Sequence, residues 1–291
     1  MKPLVLFDMD GTLTEPRQAA GNDIMYALEE LSQHANIGIV SGSDYDYIQE
    51  QMPFGYWSHK RWANDMLIYP CNGTKRYIKG RLNHSVNMKE HLGNEQFYKL
   101  INVLIQLQSF YIVWAKEQGF DTPLTGTHFQ NRGSTLNWCP IGRMADQDER
   151  KAFVDFDSQE EFREYTLFLI EESLKECRIE GVTVVKGGST SFDIYPDGWD
   201  KTYVLRFHPD EVVYFVGDRC EKGGNDYELY KALQNRKVIS DREQQLSLFS
   251  WRKNDKAQSV QDYHHGFKTK SPKETIEIIN NSIIPHIKSR T

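Results

Sequence analysis

The chain is poor in cysteine, with four in 291 residues. Cys71, Cys139, Cys177 and Cys220 stand far apart, without the paired close spacing of a disulfide framework or a zinc site. A reducing compartment, the cytoplasm, is therefore the expected location. A long apolar run is also missing. Met1-Lys2-Pro3 leads straight into Leu4-Val5-Leu6-Phe7, a stretch too short for a signal peptide or a membrane span, so no membrane is expected as a partner. Nor is there a long basic run. Lys and Arg number 35 against 41 Asp and Glu, a formal charge of −6, which argues against nucleic acid. An acidic protein can still hold an anion through a local arginine cluster. No internal repeat is present. What remains is ordinary for a soluble globular chain, 39% hydrophobic and 26% charged, long enough for one large or two medium domains.

The most informative stretch that is present runs from Val5 to Thr14. A short apolar run stops at Asp8 and Asp10, Gly11 lets the chain turn, and Thr12 and Thr14 follow. Positions two apart share one side of an extended backbone, so Asp8 and Asp10 are expected to point together from a strand end. Carboxylates that close repel unless a cation or a proton stands between them. This is the chemistry of a magnesium-dependent phosphoryl-transfer site with an aspartate nucleophile. Asp-Gly is also a common turn dipeptide, so the stretch gains its weight from three further segments downstream.

The order of elements supports that reading. Leu4 to Phe7, Ile37 to Val40 and Met66 to Tyr69 read as short buried strands, with helices over Asn22 to Gln33 and Tyr45 to Gln51 between them. This alternation predicts an α/β domain with a parallel sheet. The pattern then changes to a hairpin across Lys79-Gly80, a long amphipathic helix through Phe97 and Leu104, and strands at 127–131 and 136–139. A helix from about Gln159 to Cys177 and strands at 183–185 and 192–194 follow. Strands followed by long helices suggest an inserted α+β module, placed at 83–187, with 1–82 and 188–291 forming the core. Asp200 is expected to cap a helix from Lys201, Val212 to Val216 is a strongly apolar strand, and Ser271-Pro272 opens a closing helix. Residues 233–265, rich in polar side chains without a sustained period, read as a loosely ordered insertion.

Open α/β sheets bind ligands beyond the carboxyl ends of their strands, and four such places carry suitable chemistry: Asp8/Asp10, Ser41/Ser43, Lys201, and Asp218 with Asn225/Asp226. Asp8 would attack phosphorus to form an aspartyl phosphate, and cations must offset the repulsion between the two anions. Asp8, the Asp10 backbone carbonyl and Asp218 can ligate magnesium, with Asn225 and Asp226 alongside. Asp10 is then free to act as general acid and base. The hydroxyl of Ser41 or Ser43 can hold a phosphoryl oxygen, and Lys201 can neutralise its charge. Taken singly, Ser41-Gly42-Ser43-Asp44 is a loop and helix cap, Lys201 a surface lysine, and Gly223-Gly224-Asn225-Asp226 a turn. Their order, each after a suitable strand, is what favours the chemistry.

The set resembles the haloacid dehalogenase (HAD) superfamily of phosphotransferases and, within it, the eukaryotic-type phosphomannomutases. The segments that carry the likeness are Phe7 to Thr14 with Pro16-Arg17-Gln18, Gly42-Ser43-Asp44 and Pro140-Ile141-Gly142-Arg143. Gly187-Gly188 with Ser191-Phe192-Asp193, Pro196 to Lys201, Gly217-Asp218 and Gly223 to Asp226 complete them. The resemblance implies a HAD-like core with a cap that grips the distal phosphate of a sugar phosphate. The residues doing so would be Arg17 in the core and Arg132, Arg143 and Arg150 in the cap, with Ser191 and Asp193 touching substrate. If helical, the segment from Arg143 to Arg150 would set these two arginines two turns apart. The implied reaction converts mannose 6-phosphate to mannose 1-phosphate, primed by a hexose 1,6-bisphosphate, with Mg2+ as cofactor. Glucose phosphates would be secondary substrates. A supply of mannose 1-phosphate for GDP-mannose biosynthesis and a homodimer joined through the cap are implied as well.

Two departures from the family pattern stand out. After Asp226 the family continues with a short loop carrying an aspartate and a threonine for a second cation, whereas Tyr227 to Leu233 here reads as helix and leads into the insertion. Cys71 replaces an acidic residue of the family's Pro-x-Asn-Gly turn. Two alternatives follow: a sugar-phosphate phosphatase of the same superfamily, and a homologue disabled by the insertion. The cap arginines favour the mutase over the first. Retention of Asp8, Asp10, Lys201 and Asp218 argues against the second, because a binder needs no nucleophile.

Overall fold

Four consecutive apolar residues, Leu4–Phe7, form the centre of the larger sheet in the computed structural model, which describes residues 2–235 and 265–290. A strand covered on both faces has no need of polar alternation, and all four side chains are buried. Val5 and Phe7 face a core with Ile37, Ile39, Ile68 and Val216, closed by Ile24, Leu28 and Leu31 of helix Asn22–Ser32 and by Ile279 and Ile283 near the C-terminus. Leu4 and Leu6 face the other side, with Val213, Phe215, Val204, Leu229 and Leu233.

The seven strands lie in the spatial order Gly266–Lys268, Val213–Gly217, Leu4–Phe7, Asn36–Val40, Leu67–Tyr69, Lys75–Ile78, Arg81–Ser85. The first five are parallel, with Leu4 opposite both Asn36 and Val213, and Lys75–Ile78 turns antiparallel to Leu67–Tyr69. The chain winds one way from Leu4–Phe7 to Asn36–Val40 and Leu67–Tyr69, and the other way to Val213–Gly217 and Gly266–Lys268. A reversal of this kind opens a crevice beyond the carboxyl ends of the strands where it occurs. Asp8, Ser41 and Asp218 are each the first residue beyond one of those strands.

Two compact units are present. The first takes in residues up to Asn83, Lys201–Lys222 and Asp226 onward; the second takes in His84–Asp200 with Gly223–Asn225. The second carries an antiparallel sheet in the order Phe129–Asn131, Leu136–Trp138, Ser191–Pro196, Val182–Gly187. Its helices are Met88–Leu92, Asn94–Glu117, Gln147–Glu160 and Phe162–Glu176. A division at 187 would cut the hairpin in which Val182 pairs with Pro196 and Gly187 with Ser191, so the boundary moves to 200.

Other expectations need correction. The helix expected from about Gln159 to Cys177 runs over Phe162–Glu176, and a helix not expected, Gln147–Glu160, precedes it, the two parted at Glu161, whose φ of 50° is left-handed. The helix expected from Lys201 is a 3₁₀ stretch, Lys201–Phe207. Leu233 does not open an insertion: it is buried in helix Tyr227–Asn235, and at the far end the His265 carbonyl accepts a hydrogen bond from the Phe215 amide at 2.8 Å. The remainder of the expected insertion, 236–264, lies outside the described residues. The closing helix is capped by Ser271 as expected, but it opens into a π turn over Ile279–Ile283. Pro285, which has no amide hydrogen to donate, lies just beyond. Among the described residues no helix is long and apolar enough to cross a membrane.

Candidate active site

Asp8 ends the central strand and is buried, its backbone amide held by the Val216 carbonyl at 2.9 Å. Lys201, fully buried, places its ammonium 2.5 Å from Asp8 Oδ1 and 2.6 Å from Asp226 Oδ1. Asp226 is positioned by its Oδ2, which accepts from the Arg219 amide at 3.0 Å. Oxygens of Asp8, Asp218 and Asp226 lie within 4.8 Å of one another. Burial, then the charge of Asp226, hold the Asp8 carboxyl well above the usual carboxylate range in spite of Lys201. The same two causes push Asp218 up to about 6. Burial by itself would lower the Lys201 ammonium, but the charges of Asp226 and Asp8 outweigh it and raise the group above its ordinary range.

Three carboxylates against one ammonium leave two negative charges, which one divalent cation would neutralise. Asp218 Oδ1 is buried with no hydrogen-bond partner, a costly state that a cation would relieve; Asn225 Oδ1, grouped with the second unit, is buried without a partner as well. Gly11, at φ +82°, passes so close that a Cβ there would stand 2.5 Å from Asp218 Oδ2. An all-oxygen set of carboxylates suits a hard cation such as magnesium. Because Asp218 holds its proton up to about 6 rather than the ordinary 3.8, the folded state binds more protons than the unfolded chain in that window, and stability falls as pH rises through it. Cation binding needs the deprotonated form, so it opposes that loss. At a hundredfold excess over its dissociation constant, magnesium should add about 2.7 kcal/mol at pH 7.5, read as a rise of about 5 °C in the unfolding midpoint, and much less at pH 5. Equal shifts at both pH values would remove these residues as a cation site.

Asp10 does not point with Asp8. The strand ends at Phe7, so the two-residue periodicity lapses, and the Asp10 carboxylate is not one of the three clustered groups. Its Oδ1 accepts from the Tyr47 hydroxyl at 3.0 Å, the Gln51 side-chain amide at 3.3 Å and the Arg17 backbone amide at 3.1 Å. Tyr47 and Gln51 were missed in the sequence. The legible signal was their i, i+4 spacing on helix Tyr45–Gln51, which Asp44 caps through the Tyr47 amide.

Ser41 is buried, and its hydroxyl oxygen accepts from the Ser43 amide at 3.1 Å. This loop rests on the turn after Leu67–Tyr69: the Cys71 amide donates to the Ser43 carbonyl and the Asn72 amide to the Ser41 carbonyl, both at 2.8 Å. To do so Cys71, Asn72 and Gly73 all adopt positive φ, and Gly73 lies where a Cβ would be 3.1 Å from the Val204 amide nitrogen. One turn thus supports both the Ser41–Ser43 loop and the stretch that carries Lys201.

The second unit gathers most of its sequence-assigned residues around Asn137, which sequence reading missed. The Asn137 side-chain amide donates to Asp193 Oδ1 at 2.8 Å and Ser191 Oγ at 3.0 Å, while its oxygen accepts from Arg143 Nη1 at 2.7 Å. Arg132 is buried with Nη1 3.7 Å from Asp193 Oδ1. Arg150 and Arg143 are not on one helix. Arg143 precedes the Asp146–Glu149 capping box, and Arg150 lies in the helix that the box opens. They meet because Arg150 Nη2 donates to the Arg143 carbonyl at 2.7 Å, its other nitrogens going to the Ala145 carbonyl and Thr190 Oγ1. Arg17 is exposed in the first unit. Asn137→Leu should cost about 1–3 kcal/mol, because Asp193 and Arg143 lose a shared buried partner. If the cluster binds an anion, the same change should raise the Michaelis constant more than it lowers kcat. An unchanged Michaelis constant with lost stability would make the hub purely structural.

Comparisons with known proteins bear on this geometry. A family model described as eukaryotic phosphomannomutase matches residues 24–245. Phosphomannomutase of Dendrobium officinale is 36% identical over 231 residues, covering 79% of this chain and 85% of that protein. Phosphomannomutase 2 of Dictyostelium discoideum is 35% identical over 231 residues, with 78% and 86% covered. Phosphomannomutase 1 of Mus musculus is also 35% identical over 231 residues, with 78% and 82% covered. Among solved structures, an N-terminally truncated IMP-nucleotidase of Plasmodium falciparum aligns over 96% of this chain and 69% of its own, with a TM-score of 0.55 and 13% identity, a likeness of fold alone.

Proposed function

The chain belongs to the eukaryotic phosphomannomutase family, and from that premise we propose that it interconverts mannose 6-phosphate and mannose 1-phosphate through an aspartyl phosphate on Asp8. The observation that carries this reading is the buried Asp8 at the switch point of the sheet, held by the Lys201 ammonium at 2.5 Å beside two further carboxylates. A carboxylate in that setting is fixed in place and has its charge partly offset before an anionic phosphoryl group arrives.

In the first half-reaction Asp8 attacks phosphorus of a hexose 1,6-bisphosphate. As the bond to the sugar oxygen breaks, that oxygen takes a proton from Asp10. In the second half-reaction Asp10 takes the proton of the other sugar hydroxyl, which attacks the phosphoryl group and releases Asp8. Lys201 offsets phosphoryl charge, and the hydroxyls of Ser41 and Ser43 supply donors to its oxygens. Magnesium, held by Asp8, Asp218, Asp226, the Asn225 amide oxygen and the Asp10 carbonyl, would add the remaining positive charge. Arg132 and Arg143, with Ser191 and Asp193, bind the phosphate that stays on the sugar. Arginine's planar fork recognises a phosphate at either end of the sugar equally. Arg150 supports them through the Arg143 carbonyl, and Arg17 is a further phosphate contact of the core.

The reading includes a cytoplasmic homodimer joined through the second unit. Tyr98, Ile105 and Val113, exposed on one stripe of helix Asn94–Glu117, are apolar side chains that such a contact would cover. The deciding assay supplies magnesium, mannose 1-phosphate and catalytic glucose 1,6-bisphosphate, and follows mannose 6-phosphate and free phosphate together. Isomerisation without phosphate release is the expected result. Phosphate release alone would make the protein a phosphatase.

A further inference from the structure

Every hydrogen bond to the Asp10 carboxylate among the described residues ends on the same oxygen, Oδ1. A carboxylate only accepts, so the Gln51 atom that faces it must be the NH2 group. The Gln51 oxygen then faces Thr14, whose hydroxyl stands 2.7 Å away and must donate. The Gln51 amide is therefore locked in one orientation by a residue of the Asp8–Thr14 segment itself. The Tyr47 hydroxyl donates to Asp10 Oδ1 at 3.0 Å from one turn earlier on the helix of Gln51. The Gln51 carbonyl accepts from the Ala20 amide at 2.8 Å, which ties the loop carrying Arg17 to the same helix. Three donors converge from two elements, and none reaches Oδ2.

We propose that Tyr47 and Gln51 are positioning residues for Asp10: with the Arg17 amide they saturate Oδ1, fix the plane of the carboxyl group, and leave Oδ2 as the oxygen that carries the proton. This deepens the function proposed above and rests on it. As the bond from phosphorus to the sugar oxygen breaks and the bond to Asp8 forms, the proton passes from Asp10 Oδ2 to the departing oxygen. In the second half-reaction it returns to Oδ2 from the attacking hydroxyl. A carboxyl group free to rotate would offer its proton from either oxygen and in many directions, and general acid catalysis depends on that direction.

The test separates a proton donor's partners from ordinary structural residues by changing the leaving group. A sugar oxygen needs a proton to depart; p-nitrophenolate does not. Tyr47→Phe and, independently, Gln51→Met should slow phosphorylation of Asp8 by a hexose 1,6-bisphosphate about tenfold in single-turnover measurements. The same variants should keep phosphorylation by p-nitrophenyl phosphate within about threefold of wild type, with the Michaelis constant for the sugar phosphate little changed. Two variants guard against one failing to fold, and far-ultraviolet circular dichroism checks each. Equal slowing with both donors, or no slowing with either, would overturn the positioning role. A wild-type protein that accepts phosphate from neither donor would overturn both this role and the function beneath it.

Discussion

Replacing Asp8 with asparagine is expected to abolish turnover while leaving the fold at least as stable as before. An amide is no nucleophile toward phosphorus, and deletion of a nucleophile costs about 10⁴-fold or more in rate. The stability side follows from the charges. Asp8 is one of three carboxylates within 4.8 Å, and its own carboxyl is held well above the usual range by burial and by Asp226. Removing that charge relieves repulsion, while Lys201 keeps its bond to Asp226 at 2.6 Å. The unfolding midpoint should therefore stay or rise, with the gain largest above pH 6, where Asp218 is ionised. Isomerase assays and thermal unfolding of the purified variant check both halves. Residual activity above about 1% of wild type would move the nucleophile elsewhere.

Lys201→Met should do the opposite to stability. It leaves the buried Asp8 and Asp226 and the half-buried Asp218 with no ammonium among them, and breaking a buried ion pair from one side costs about 3–5 kcal/mol. The sign with pH is definite. Asp8 and Asp218 are already raised by burial, and loss of the ammonium, which lowers both, raises them further. The folded variant then binds more protons than the unfolded chain, so the deficit is greatest near pH 7.5 and shrinks as pH falls toward 5. Magnesium should also shrink it, by supplying the missing positive charge. Thermal melts across pH, with and without the cation, make the measurement. A midpoint deficit indifferent to both would show that the ammonium does not compensate these carboxylates. Turnover should fall about 10²–10³-fold, the range for loss of one electrostatic stabiliser.

The two variants separate roles that the sequence groups together. Asp8 and Lys201 sit 193 residues apart and share one hydrogen bond, yet one is expected to weaken the fold in service of chemistry and the other to hold it together. The pair also explains how much of the site was legible. Short apolar runs ending in Asp8, Ser41 and Asp218 announced a parallel sheet with chemistry at its strand ends, because burial on both faces leaves a continuous apolar signature and its stop marks the crevice. The Asp146–Glu149 capping box that opens helix Gln147–Glu160 is a local signal too, but the scarcity of apolar residues in that helix left it without a readable period.

What the sequence by itself determined was the run of core strands from Leu4–Phe7 through Asn36–Val40 and Leu67–Tyr69 to Val213–Gly217, the identity of the acidic and basic groups, and which carboxylates lie at strand ends. These depend on neighbours a few residues away, where the periods of helix and strand act. What only the tertiary structure decided was orientation. The Asp10 side chain turns toward Tyr47 and Gln51 because the strand has ended and a helix some forty residues on presents donors. Asn137 becomes a hub because Leu136–Trp138 pairs with Ser191–Pro196, bringing Asn137 opposite Asp193. Hydrogen bonds are directional and reach about 3 Å, so their partners are chosen by the packing of whole elements and not by local pattern.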